Sequence, residues 1–126
     1  MSSLTAAKPI MFILVRDRER ARAFYEGVLG LTRRHEDAFA IVYDLAGTPL
    51  RLSTVEDYQP HPHTVIGWQV SDIASVVREL TAKGVKFAIY PGFGQDEIGV
   101  WSAPGGGGKV AWFHDPDGNN LSLTQG

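Results

Sequence analysis

Of the side chains that can carry a proton, a charge or a metal, a few stand in a sequence context that could do chemistry. His114 closes the apolar run 110–113, where it can act as a general base or a hydrogen-bond donor. The plainer reading is a strand-end histidine beside a turn. Arg51 stands alone between Leu50 and Leu52. On an enclosed face its guanidinium would grip a carboxylate, a phosphate or another anion in bidentate fashion. An internal ion pair to Asp44 or Glu56, or exposure, is the alternative. His61-Pro62-His63 has metal-like alternation but no third ligand nearby, which favours a solvated turn. His35-Glu36-Asp37 has the composition of a catalytic cluster. Neighbours on a strand point to opposite faces, however, so an exposed turn is favoured. Trp101 and Trp112 can stack on a planar ligand or simply pack. Gly108-Lys109 lacks the Ser/Thr and the helix that follow a phosphate loop. There is no cysteine, hence no disulfide, thiolate metal site or thiol nucleophile.

The elements that position these groups are easiest to see at the end of the chain. VAWFHDPDGNNLSLTQ predicts a strand (110–114), a turn (115–119) that Asp-Pro and Asp-Gly suit, and a second strand (120–124). Leu121 and Leu123 share one face of that strand; Asn120, Ser122 and Thr124 share the other. The stretch 43–54, YDLAGTPLRLST, echoes this hairpin. Gly47 and Gly118, Leu50 and Leu121, Arg51 and Ser122 are each 71 residues apart. The chain therefore reads as an internal duplication.

Each half follows one plan. Residues 1–8 read as a loose leader, and 9–15 as a strand. Asp17 caps a helix carrying Ala21, Phe24, Tyr25, Val28 and Leu29 on one face, and Gly30 closes it. Strands over 31–36, 38–45 and 49–55 complete a βαβββ unit, with a turn at 46–48. EDYQPHPH (56–63) is a linker. The cycle restarts with a strand at 64–70, a helix capped by Asp72 and closed by Gly84, and a strand at 86–90. Asp17 and Asp72 are 55 residues apart, so the step to 71 requires a 16-residue insertion within 91–108. Part of it, over 98–102, reads as strand. The tetraglycine 105–108 favours a mobile lid or a loose surface loop. The expected layout is one domain over 1–126: module one at 9–55, a linker at 56–63 and module two at 64–125.

Alternation also assigns faces. Met11, Ile13 and Val15 oppose Ile10, Phe12 and Leu14; Ile66, Trp68 and Val70 oppose Val65, Gly67 and Gln69; Ala111 and Phe113 oppose Val110, Trp112 and His114. A concave surface bearing Phe12, Leu14, Arg51, Gln69, Trp112, His114, Ser122 and Thr124 would be aromatic with sparse polar groups, as a small-molecule site requires. The formal charge of −2 argues against nucleic acid and anionic membranes as partners. No apolar run is long enough to span a bilayer, and the first eight residues lack a signal-peptide core. A cytoplasmic location is the default expectation.

The paired βαβββ plan, the stretch RERARAFYEGVLGL and the ending VAWFHDPDGNNLSLTQ resemble the vicinal oxygen chelate superfamily. That superfamily includes glyoxalase I, extradiol dioxygenases and the fosfomycin and bleomycin resistance proteins. The resemblance covers roughly 9–125. It implies an α+β glyoxalase/bleomycin resistance/dioxygenase fold, with curved mixed sheets enclosing a cavity between modules, and a homodimer. It also implies a divalent metal held from the first and last strand of each module. Carried over by motif, those positions are Ile10, Arg51, Val65 and Ser122. Isoleucine and valine have no donor atom, arginine repels a cation, and serine is a poor lone ligand. The expectation is therefore a protein with no metal or other cofactor that binds a small anionic or aromatic ligand. Phe12, Arg51, Gln69, Trp101, Trp112, His114 and Ser122 are the binding candidates. One alternative is a metal-free acid–base enzyme using His114 and Arg51. Another is a metal-dependent lyase or dioxygenase with displaced ligands.

Overall fold

A computed structural model describes residues 3–126. Two residues of the expected leader lie outside them; Ser3–Thr5 form one exposed 3-10 turn. The chain divides into two compact units, Met1–Gln59 and Pro60–Gly126.

In the first unit, β1 (Met11–Val15) leads to α1 (Arg18–Arg22), then to β2 (Thr32–Glu36), β3 (Ala40–Leu45) and β4 (Thr48–Thr54). The sheet order is β1-β4-β3-β2, with β1 parallel to β4 and the other pairs antiparallel. Asp17 Oδ1 accepts the Arg20 amide at 3.0 Å and starts the helix. The regular helix expected through Leu29 does not persist. Ala23–Val28 winds as a π-helix, and Leu29 N donates to Phe24 O at 2.9 Å. The wider turn changes the buried face: Ala21 and Tyr25 are fully buried, whereas Phe24, Val28 and Leu29 are only partly so. Gly30, at φ +71°, ends it. Ile13, Val15, Ile41, Tyr43, Leu50 and Leu52 complete this unit's core. Ala46 and Gly47 both take positive φ, the two-residue hairpin turn whose twist matches its strands.

The second unit contains β5 (Thr64–Gln69), α2 (Ile73–Ala82), β6 (Trp101–Ser102), β7 (Lys109–His114) and β8 (Asn120–Gln125). Its sheet order, β5-β8-β7-β6, repeats the first with β5 parallel to β8. Asp72 caps α2 by accepting Ser75 N at 3.1 Å. After Gly84, Val85 N reaches back to Leu80 O at 3.0 Å. Ile73, Val77 and Leu80 pack on the face that bears Ile66, Ala111, Phe113, Leu121 and Leu123.

The strand expected at 86–90 does not form. That segment runs beside β7, where Ala88 N donates to Trp112 O at 2.8 Å, but the fourth strand of the sheet is β6, from within the insertion. The reason lies in Gln95 and Asp96. Gln95 Oε1 accepts Tyr90 N at 2.7 Å, and its Nε2 donates to Ala88 O and Gly99 O, both at 2.9 Å. Asp96 Oδ1 accepts Ile98 N and Val100 N. Residues 88–100 are thus tied together, while the tetraglycine lies beyond these bonds in a turn where Ala103 N donates to Gly108 O at 2.8 Å. Gly99, at φ +95° and where a Cβ would stand 3.1 Å from the Phe87 Cβ, allows the tight turn.

Among the described residues no helix is long and apolar enough to cross a membrane.

Candidate functional site

The face of the second sheet opposite α2 is built in rows. Trp112 on β7, Ser122 on β8 and Gly67 on β5 are paired across the strands. On one side lies the row Val110, Thr124 and Gln69, with Trp101 of β6 paired to Val110. On the other lie His114, Asn120 and Thr64. Gly67, Gln69, His114 and Thr124 are exposed and Trp112 is half-buried, so the face is open to solvent.

Four aromatic rings gather at one end of it. Trp101 and Trp112 have centroids 6.3 Å apart. Tyr90 meets Trp112 edge-on at 5.6 Å, and Phe93 does so at 6.1 Å. Phe93 also lies 6.5 Å from Trp101 and is 52% exposed. Such edge-to-face contacts are a favoured pairing of aromatic rings. Tyr90 and Phe93 were not legible in the sequence as site residues, since they lie in or beside an aperiodic insertion. The Gln95 and Asp96 hydrogen bonds deliver them here. Their aromatic character beside Trp101 was the one available signal.

Below the cluster is a polar chain. Thr64 Oγ1 donates to Asn120 Oδ1 at 2.9 Å, and Asn120 Nδ2 donates to Tyr90 Oη and Pro62 O, both at 3.3 Å. His114 is exposed, and its ring forms no hydrogen bond among the described residues. His61 and His63 stack at 5.9 Å and are exposed. The first aspartate of the DPDGN motif is structural. Asp115 Oδ1 accepts Asp117 N and Asn119 N, both at 2.9 Å, and its Oδ2 accepts Asn119 Nδ2 at 2.7 Å.

The first sheet's open face has a matching row: Phe12, Arg51, Val42 and His35. Phe12 is 64% exposed. Arg51 is half-buried, and its side chain makes no hydrogen bond or ion pair among the described residues. Neither expected ion-pair partner takes it: Asp44 binds Arg34, and Glu56 is exposed.

The charge concentration of this unit lies instead on the α1 side. Arg22 bonds both Glu36 oxygens, at 2.7 and 2.6 Å, while Arg33 adds a bond at 2.7 Å and Arg18 one at 3.3 Å. These guanidiniums, Arg22 first, hold the Glu36 carboxyl down at about 2. The bonds to Glu36, and then those to Glu19, raise Arg22 further above its usual range. Burial, and then the hydrogen bond to Glu26, push up the Tyr43 hydroxyl, which donates to Glu26 Oε2 at 3.0 Å. Backbone amides of Phe39 and Ala40 lower Asp37. Glu36 is therefore an ion-pair centre joining β2 to α1, not part of an exposed turn. His35 and Asp37 are exposed and meet each other at 3.1 Å.

At the positions where the resemblance implies metal ligands, the donor set does not fit a divalent cation. Ile10 and Val65 are exposed hydrocarbons, Arg51 is a cation, and Ser122 offers one hydroxyl. Among the described residues no three His, Cys, Asp or Glu side chains are grouped to hold a metal. A groove of about 650 Å³ in the second unit lies elsewhere, between α2 and the segment 85–98. Its charged lining, Arg78, Lys86 and Glu97, is exposed.

The family model for the Glyoxalase/Bleomycin resistance protein/Dioxygenase superfamily matches residues 7–123. No curated protein matches the chain. Among solved structures, a genomically encoded fosfomycin resistance protein from Listeria monocytogenes is 14% identical with a TM-score of 0.75, covering 96% of this chain and 93% of its own. A glyoxalase family protein from Enterococcus faecalis is 17% identical with a TM-score of 0.76, covering 96% and 98%. A lactoylglutathione lyase from Agrobacterium tumefaciens is 16% identical with a TM-score of 0.71, covering 96% and 94%. At these identities the likeness is one of fold.

Proposed function

The chain belongs to the glyoxalase/bleomycin resistance protein/dioxygenase superfamily, and from that premise we propose that it is a metal-free binding module of the bleomycin-resistance type. It holds a small planar ligand against the open face of the second sheet. The observation that carries this reading is the four-ring cluster of Tyr90, Phe93, Trp101 and Trp112, partly exposed above a hydrogen-bonded polar floor. Apolar area with few polar groups is the make-up of an organic ligand site. The donor-poor residues Ile10, Arg51, Val65 and Ser122 support the metal-free part. A homodimer, as the resemblance implies, belongs to the same reading.

On the first sheet, Arg51 offers an anion a guanidinium with no internal partner among the described residues. A carboxylate or phosphate there takes two parallel hydrogen bonds. Inorganic phosphate is expected to raise the melting temperature of the wild type and not of Arg51→Ala.

The test of the main reading has two arms. Tag-free protein is incubated with manganese, iron, nickel, cobalt or zinc and assayed for retained metal; near-stoichiometric retention overturns the metal-free part. Tryptophan fluorescence is then followed during titration with 2-naphthol. Saturable quenching that Trp112→Val weakens about tenfold is expected, the effect of losing a stack worth about 1.5 kcal/mol. Absence of saturable quenching in the wild type overturns the aromatic site.

A further inference from the structure

Gly67 lies mid-strand on the open face of the second sheet, and its backbone does not call for glycine. Its φ lies outside the left-handed region, so any residue could adopt its conformation. Glycine inside a strand weakens it, and such a position often marks a place where another group comes close. Here the neighbour is Ser122, its partner across β5 and β8. A Cβ on Gly67 would stand 2.5 Å from Ser122 Oγ. The serine hydroxyl therefore leans into the space that a β5 side chain would fill.

That hydroxyl has no partner among the described residues. Ser122 is only 7% exposed. The oxygen itself is not sealed off from solvent, so it stands at the open face able both to donate and to accept. The first unit shows that the fold does not impose this gap. In the matching row the β1 position is Phe12, not glycine, and its β4 partner is Arg51. Gly67 and Ser122 together make a notch with a polar wall, in register with Trp112 on the next strand. From β7 to β5 is two strand spacings, about 10 Å, the span of a bicyclic ring with one substituent.

We propose that this notch sets the specificity of the aromatic platform. It receives the edge of a planar ring lying against Trp112, and Ser122 bonds a single hydroxyl or carbonyl group on that edge. The ligand class is thus a fused or extended aromatic with one neutral polar substituent directed at β8. This inference rests on the reading of the aromatic face as a ligand site.

The test compares 2-naphthol with 2-methylnaphthalene, which differ by hydroxyl against methyl, using equilibrium dialysis. The protein variants are wild type, Ser122→Ala, Gly67→Ala and Trp112→Val, each first checked for an unchanged melting transition. Ser122→Ala should reduce the preference for 2-naphthol about fivefold and leave 2-methylnaphthalene binding intact, the effect of losing one neutral hydrogen bond. Gly67→Ala should weaken both probes about tenfold, because its methyl fills the notch and turns the hydroxyl aside. An unchanged preference in Ser122→Ala, or wild-type affinities in Gly67→Ala, overturns the notch and leaves the platform standing. Wild-type protein that binds neither probe, or Trp112→Val protein that binds both as tightly as wild type, overturns the platform and the notch with it.

Discussion

The row that crosses the open face of the first sheet reads Phe12, Arg51 and Val42; the corresponding row of the second reads Gly67, Ser122 and Trp112. Strand order is the same and so is the register through this row, yet the bulk has moved from the outer parallel strand to β7, and a cation has become a hydroxyl. On the helix side the contrast takes another form. Tyr43 of β3 corresponds to Phe113 of β7 by register. The tyrosine donates to Glu26 beside the Arg22–Glu36 cluster, whereas the phenylalanine packs against Trp68 and Phe87. A repeated frame thus fixes where a side chain points and leaves its chemistry open. The first unit invests its polar groups in joining helix to sheet; the second reserves its polar and aromatic groups for the open face.

Substitutions that exchange features between the units test this contrast. The largest effect is expected from Phe113→Ala, which removes a fully buried ring and should cost about 3–5 kcal/mol in denaturant unfolding. Trp112→Val installs the residue that the first unit uses. It should abolish most aromatic binding with a much smaller loss of stability than Phe113→Ala, because Trp112 is half-exposed. Equal stability losses for the two would erase the distinction between core face and ligand face. Tyr43→Phe makes the opposite exchange and should cost about 1 kcal/mol, the worth of the hydroxyl bond to Glu26.

The subtlest is pH. The Glu36 carboxyl titrates near 2 in the folded protein, below its unperturbed value of 4.5. Its stabilisation is therefore complete above about 4.5 and is lost as pH falls toward about 2. Glu36→Gln should flatten that acid limb of the stability curve. An acid limb as steep as wild type in the variant would place the titrating group elsewhere.

The faces were legible because they depend on local periods. Alternation placed Ile13 and Val15 inward and Phe12 outward, and the 71-residue echo aligned Arg51 with Ser122, as the registers bear out. Both helix caps, Asp17 and Asp72, followed from residue type. The π-helical turn was not legible, since Phe24, Tyr25 and Val28 fit an ordinary helical face equally well. The Arg22–Glu36 cluster escaped because its partners are 14 residues apart and belong to different elements.

What the sequence by itself determined is therefore the repeated βαβββ plan, its inward and outward faces, and the poverty of metal donors at Ile10, Arg51, Val65 and Ser122. These follow from single residues and short periods. Tertiary structure decided which segment completes the second sheet, the assembly of Tyr90 and Phe93 with the two tryptophans, and the meeting of Gly67 with Ser122. Those outcomes depend on pairings between residues far apart in the chain. Hydrogen bonds from Gln95 and Asp96 and the parallel register of β5 with β8 select them, and no local pattern encodes that choice.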